Sequence, residues 1–573
     1  MNFLKKNKIK NIRTPEEQRL RRFLLFLAIL TGVGLGISFP PFPLGVIACF
    51  ALVPLLLLFE FTDGFARPLR YTYIAFFALQ IVSVYWMGGF AHGQHAMQML
   101  GGALLIFAHP IFFFIPVLGY LVIRRTFGIH YALIALPFIW VGFEYLHSIG
   151  DLAFPWQTLG NTQSYDIVRS QFISFTGVYG LSFWIVTINA IAFYLVMNIS
   201  LKKWPVTSTP AIGTAGVILV IHFIPFIYGS VVLSNEREIT DTVRVGVVQP
   251  DSDPFDKWEL SRSMLTDQLL DQSSLLLPDA PDVILWPENA VTFYLMMPQN
   301  DRYRKKIQNF VDESGTPVLT GLPYARFYAS DEEAPRTAKE IPETGERYES
   351  FNAAVLMQPD EERYDFYGKI VLVPFVEKIP YGDLFDFAVK IRRSIGVGGW
   401  DVGPDTTVFS FYDGTEQRRS FGAVICYESV YPGFVRHFTN RGAEFLVVIT
   451  NDSWWGNTPG PRQHLQMSVF RAIENRRAIA RSANGGISAY LDPYGRIMFE
   501  TELFTQTQSV YEIPVSDYMT FYARHGDVFS KICLLIGILP VVGSVGERMR
   551  KRIYATQDKI RREMNEKNNR PSE

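Results

Sequence analysis

Along the first part of the chain, apolar positions come in long unbroken blocks, with polar residues confined to the gaps. The blocks cover residues 23–39, 44–59, 71–90, 104–123, 131–146, 181–199 and 211–233, and one more follows much later at 528–545. Each is close to the roughly 17–25 residues that a helix needs to cross a hydrocarbon core. The pattern therefore predicts seven transmembrane helices and, after a long interval, an eighth. Between residues 234 and 527 the pattern changes. Short apolar runs end in polar or glycine residues: VRVGVVQP, DVILWPE, TPVLTGLP, NAAVLMQP, FGAVICYES, AEFLVVITND and GGISAYLDP. Residues 260–277 have helical periodicity instead. Buried strands alternating with helices predict an α/β domain in which sheets are covered by helices. Residues 325–349, charged and containing proline, read as a mobile surface loop.

Charge orients these blocks. The net charge is -1, so no overall basic field points to nucleic acid. Basic residues concentrate in the N-terminal KKNKIK and RLRR, in RPLR, RRTFG and LKKW, and in the tail RMRKR and KIRR, while the intervening loops carry almost none. By the preference of Lys and Arg for the cytoplasmic side, residues 1–22 and the tail 546–573 are cytoplasmic. Residues 23–233 hold seven spans, 234–527 form an extracytoplasmic domain, and 528–545 return the chain across the membrane. The first block follows a basic segment but lacks a small-residue cleavage site, so it reads as an anchor and not as a removed signal peptide.

Candidate chemistry sits at three strand ends. DVILWPE ends in Glu288, YGKIVLVPFVEK places Lys369 before an apolar run and Glu377 after it, and FGAVICYES delivers Cys426 into a polar loop. A thiol beside an ammonium and a carboxylate suits acyl transfer. The cation favours the thiolate and steadies an oxyanion, and the carboxylate relays the proton. Taken singly, each has a plain alternative: a packed cysteine, or an ion pair. The other cysteines, Cys49 and Cys533, lie inside apolar blocks and read as packing residues. Three scattered cysteines make neither a disulfide framework nor a zinc site. His92 and His95 lack further ligands and read as loop residues, so neither a metal nor a cofactor is expected. Glu144 reads as an intramembrane acid or a solvated helix end, and residues 152–157 (LAFPWQ) as an interfacial segment.

The order WPE, YGK…VPFVE, CYES resembles the carbon–nitrogen hydrolase (nitrilase) superfamily. NDSWWGNTPGPRQHLQMSVFRAIENRRAIARSANGG, together with the seven spans before and one after, narrows this to a resemblance to the apolipoprotein N-acyltransferase family. The resemblance implies a multi-pass helical membrane domain plus an αββα sandwich. Residue by residue, it implies Glu288 as general base, Lys369 as stabiliser of the transition state and Cys426 as nucleophile. Glu377, Tyr427, Glu428 and Asn352 would support the site, and Trp258 and Trp454 would meet substrate. In place of the glycine common before this glutamate stands Val376, which bears on the pose of Glu377. His464, in GPRQHLQ, is assigned to support of a helix start and not to catalysis. The implied reaction carries a fatty acyl chain from a phospholipid to the α-amino group of a diacylglyceryl-cysteine on an apolipoprotein, by ping-pong through a Cys thioester, in the bacterial inner membrane. The alternatives are a membrane-anchored amidase and a non-catalytic transporter or binding scaffold.

Overall fold

The computed structural model describes residues 14–88, 96–238, 240–253, 261–329, 334–335, 338–342, 344–361, 363–381 and 399–568. His92, His95 and Trp258 lie outside the described residues.

The N-terminal part is helical. Five helical stretches among the described residues are long and apolar enough to cross a membrane: Met99–Phe127, Ile129–Leu146, Tyr179–Ser200, Thr209–Ser234 and Val528–Asn565. The helices Pro15–Gly36 and Ala66–Ser83 accompany the first and third apolar blocks. The second block is broken into pieces, Gly45–Ile47, Ala48–Ala51, Val53–Leu58 and Phe59–Phe61. Asn189 patches one junction between them. Its Oδ1 accepts from Leu52 N at 2.8 Å and its Nδ2 donates to Ala48 O at 2.8 Å.

Two sheets make up the α/β part. In the first, β1 (Thr242–Gln249), β2 (Val283–Leu285) and β3 (Val318–Tyr328) run parallel. Around them, β4 (Lys339–Glu340), β5 (Arg347–Met357), β6 (Asp365–Gly368) and the late strand β13 (Thr507–Pro514) pair antiparallel. In the second, β8 (Arg418–Ile425), β9 (Phe445–Thr450) and β10 (Ile479–Ala483) run parallel, with antiparallel β7 (Val408–Tyr412), β11 (Ala489–Leu491) and β12 (Ile497–Glu500) at the edges. The two sheets face each other across buried valines and leucines. Hydroxyls tie them together, Ser482 Oγ donating to Val248 O at 3.0 Å and Tyr490 OH to Val245 O at 2.9 Å.

Each parallel connection is a helix. Arg262–Ser274 and Asp301–Ser314 cover the first sheet, and Pro432–Asn440 and Pro459–Asn475 the second. Asp301–Ser314 shows the expected logic, burying Tyr303, Ile307 and Val311 at i, i+4 and i+8 and leaving its charges outside. Pro459–Asn475 differs in being buried almost all round. It packs between its sheet and the helical part, where Gln463 Nε2 donates to Pro40 O (2.8 Å) and Ser83 O (2.9 Å) and Glu474 Oε1 accepts from Val178 N (2.8 Å).

Two expectations need correction. The 325–349 segment is not simply a loop, because β3 and β5 pair from Val318↔Met357 out to Tyr328↔Arg347, with β4 beside them. Alternation of Tyr and Phe with charged residues on both arms suits a projecting ribbon, and the charge pattern masked it. Residues 152–157 run from the exposed Leu152 to Trp156, which is 0% exposed and whose Nε1 donates to Gln463 Oε1 at 2.8 Å, so the end of the segment is a seam between the two parts. Glu144 is buried, not solvated, and its Oε1 accepts from Trp140 Nε1 and Leu159 N.

Candidate active site

All three strand-end residues gather at the C-terminal ends of the facing sheets, where loops leave room for chemistry. Glu288 follows β2 by three residues, Lys369 directly follows β6 and Cys426 directly follows β8. The Glu288 turn presses against β3 at Gly321. A Cβ there would lie 2.5 Å from Pro287 O, 2.7 Å from Asn289 N and 2.8 Å from Glu288 Cα, so only glycine fits beneath the turn.

Lys369 is the hub. It is 1% exposed, and its Nζ donates to Glu377 Oε1 at 2.9 Å and to Glu288 Oε1 at 3.2 Å. Asn352 Nδ2 donates to the same two carboxylate oxygens, at 2.7 Å for Glu288 and 3.3 Å for Glu377. Asn451 N donates to Glu288 Oε2 at 3.1 Å. Burial alone would push the Lys369 ammonium down, but Glu288 and Glu377 outweigh it and hold it well above the usual lysine value. The two carboxylates give the cation the partners that a buried charge requires.

Cys426 is buried with a left-handed backbone, φ +51°. Burial, then the charge of Glu288, raise its thiol well above 9, while Lys369 pulls the other way. The resting nucleophile candidate is thus a neutral thiol that needs a proton acceptor at the moment of attack. Glu428 sits two residues on and is 0% exposed. Its Oε1 accepts from Tyr367 OH (2.7 Å), Ile370 N (2.7 Å) and Val371 N (3.1 Å), and its Oε2 from Ile425 N (2.8 Å). Burial pushes this carboxyl up to about 7, against those donors. Its geometry is that of a strut between the loop after Lys369 and the loop holding Cys426.

Glu377 takes a defined pose in a tight turn: its Oε2 accepts from Val373 N at 2.8 Å, and its own N–H donates to Val373 O at 2.9 Å. Val376, where a glycine was expected, needs no special backbone. The left-handed residue is Phe375, φ +65°, and Val376 points outward, 48% exposed. Asp151 of the helical part steadies this loop, pairing with Lys378 Nζ at 3.2 Å and accepting from Tyr381 N at 2.8 Å.

Tyr427 stacks on Trp156 with ring centroids 6.4 Å apart and closes the floor of the site. Trp454 is half-buried on the short helix Asp452–Trp455. Sequence reasoning misplaced His464. It does not cap the Pro459–Asn475 helix, a task done by Thr458. It is fully buried, with Nε2 3.1 Å from Cys426 O. Its spacing of 38 residues from Cys426, on another element, left no local signal.

The chain matches two family profiles, "Apolipoprotein N-acyltransferase N-terminal domain" over residues 31–191 and "Carbon-nitrogen hydrolase" over residues 244–521. It is similar to the apolipoprotein N-acyltransferase of Chlorobaculum tepidum, 34% identical over 91% of this chain and 97% of the other. It is similar also to that of Geobacter metallireducens, 30% identical over 92% and 96% of the two chains. A solved Saccharomyces cerevisiae structure, from branch 10 of the nitrilase superfamily, is 14% identical and covers 49% of this chain and 92% of its own, with a TM-score of 0.34.

Proposed function

This chain belongs to the apolipoprotein N-acyltransferase family, and from that membership together with its site we propose a two-step acyl transfer through Cys426. The reaction is lipoprotein N-acylation. The acyl donor is a membrane phospholipid, and the acceptor is the α-amino group of a diacylglyceryl-modified N-terminal cysteine. The observation that carries this reading is the buried Lys369 shared by two carboxylates, with its charge acting on the Cys426 thiol.

In the first step Cys426 Sγ attacks the ester carbonyl as its proton passes to Glu288. Lys369 stabilises the oxyanion, and the glycerol oxygen leaves with the proton from Glu288, giving a thioester and a lysophospholipid. In the second, the acceptor amine attacks the thioester, Glu288 takes its proton, and the returning thiolate is reprotonated. Glu377 and Asn352 keep Lys369 and Glu288 in register, and Glu428 fixes the two loops to each other. Exclusion of water by the buried floor favours amine over hydrolysis. The α/β part, residues 234–527, lies on the extracytoplasmic side of the inner membrane between seven spans and an eighth. Reporter fusions near Asp360 and after Arg550 should report opposite sides.

The decisive experiment supplies donor without acceptor. The protein should accumulate one hydroxylamine-labile acyl group. Cys426→Ala should not label, whereas Cys49→Ala and Cys533→Ala should. A diacylglyceryl peptide with a free amine should discharge the label, and an amine-blocked peptide should not. Release of free fatty acid without acylated peptide would instead make the protein a hydrolase.

A further inference from the structure

Next to Cys426 lies a second cluster of buried polar side chains that the two-step reaction does not use. Thr450, Asp452, His464 and Arg481 are all 0% exposed. Arg481 Nη2 donates to Asp452 Oδ2 at 2.6 Å, which by itself would satisfy a structural ion pair. The cluster goes further and reaches the Cys426 carbonyl. Thr450 Oγ1 donates to Asp452 Oδ1 at 2.8 Å. His464 Nδ1 lies 2.9 Å from Asp452 Oδ1, and its Nε2 lies 3.1 Å from Cys426 O. Ser429 completes the ring, its Oγ donating to Cys426 O at 2.8 Å and lying 2.8 Å from His464 Nε2.

We propose that His464 and Ser429 are positioning residues for the nucleophile, holding Cys426 by its carbonyl oxygen, with Arg481, paired to Asp452, fixing the His464 ring from behind. The need follows from the backbone. A non-glycine residue at φ +51° is strained, and it keeps that conformation only where its surroundings over-determine it. The cluster is fully buried, so a lost partner leaves a buried polar group unsatisfied.

Two features separate positioning from proton transfer. Burial would raise the Asp452 carboxyl, but Arg481 and His464 outweigh it and hold it at about 2. Both carboxylate oxygens of Asp452 already accept hydrogen bonds, from Thr450 and from Arg481, so the thiol proton is left to Glu288. With its proton on Nε2 the His464 ring donates to Cys426 O at 3.1 Å while Nδ1 accepts from Arg481 Nη2 at 3.0 Å, so a neutral ring holds the carbonyl. Burial lowers the imidazole below its usual value, which fits a fixed neutral strut.

The proposal rests on Cys426 as nucleophile, and the test keeps the two apart. Full-length protein in detergent is given a phospholipid with a labelled acyl chain, and the rate of thioester formation and the KM for donor are measured. His464→Leu should lower the acylation rate about 10- to 100-fold, the scale of a small misplacement of reacting atoms, with KM unchanged. His464→Gln, whose amide can donate to Cys426 O, should recover part of that rate. Ser429→Ala, which removes the other donor to the same oxygen, should show the same split of rate from KM, and Ser429→Thr should restore it. Should the His464 variants fail to fold, the Ser429 pair still decides. A wild-type rate in Ser429→Ala, or a His464→Gln no better than His464→Leu, overturns the positioning role and leaves the nucleophile standing. Labelling that persists in Cys426→Ala overturns both.

Discussion

The helical part and the α/β part both bury polar side chains, but of different kinds. In the helices they are largely neutral. Gln80 Nε2 donates to Gln157 Oε1 at 2.8 Å, Gln157 Nε2 to Ser83 Oγ at 2.9 Å, and Asn189 bridges two short helices. In the α/β part they include charges placed in opposed pairs: Lys369 with Glu288 and Glu377, Arg481 with Asp452, Arg471 with Glu474. A hydrogen-bonded amide or hydroxyl is cheap to bury, whereas a charge is costly unless paired. The neutral contacts therefore act as glue between helices. The pairs around Lys369 meet at strand ends, where a fixed ammonium acting on a thiol has chemical use.

Breaking a charged partner should cost rate. Lys369→Met leaves Glu288 and Glu377 as facing carboxylates and removes the cation that counters the rise of the Cys426 thiol. Acyl transfer should fall by about 10²–10³ or more, the loss typical of an oxyanion donor, in a protein still inserted and folded. The sign on pH can be checked separately. Lys369 lowers the Cys426 thiol pKa, so in the variant alkylation of resting Cys426 by iodoacetamide should need a still higher pH than in wild type. Wild type itself should react slowly at pH 7 and keep accelerating above pH 9. An unchanged alkylation profile would show that the ammonium does not act on the thiol.

A backbone change on the same side should cost less. In Gly321→Ala the new methyl meets Pro287 O, Asn289 N and Glu288 Cα at 2.5–2.8 Å, and backbone must move. Overpacking of this kind costs about 1–3 kcal/mol, and here it shifts Glu288. The rate should drop by roughly tenfold with little change in KM. A variant with full rate would mean that Glu288 tolerates displacement.

Which features could be read from the sequence follows the same divide. Glu288 and Cys426 were visible because each ends an apolar run, and Lys369 because it opens one, and runs that short mark strand ends. Glu377 was visible as a residue but not as a pose, since a turn with its left-handed residue at Phe375 has no hydrophobic pattern. His464 was misread because it sits on a helix buried on every side, where amphipathic periodicity vanishes. Apolar blocks located the helices but not their breaks: residues 44–59 are a continuous greasy run, yet they fold as four pieces around Asn189.

That residue gives the counterpart test in the helices. Asn189→Leu keeps volume and removes both bonds to the broken segment, leaving Leu52 N and Ala48 O without them. Stability in detergent should fall by about 1–3 kcal/mol, the cost of unsatisfied buried backbone, read as a lower midpoint of thermal unfolding. The rate of the surviving folded fraction should stay within about twofold of wild type. A large loss of rate at unchanged stability would undo the contrast between glue and chemistry.

The smallest effect is expected where the two parts meet. Asp151 comes from the helical part, but its partners, Lys378 Nζ and Tyr381 N, belong to the loop that carries Glu377. Unlike the pairs around Lys369, this one is partly open to solvent, with side-chain exposures of 27% and 28%. Exposed pairs are worth about 0.2–1 kcal/mol and weaken with salt. Asp151→Asn keeps an oxygen for Tyr381 N and removes only the charge. The loop should therefore loosen without collapsing, and Glu377 should keep its shorter bond to Lys369. We expect the KM for phospholipid to rise by less than about fivefold, with kcat nearly unchanged. In wild type the same change should appear on raising salt, and in Asp151→Asn added salt should do little more. A fall in kcat on the scale of Lys369→Met would mean that this exposed pair belongs with the buried charges, and that the boundary between the two parts lies on the helical side of Asp151.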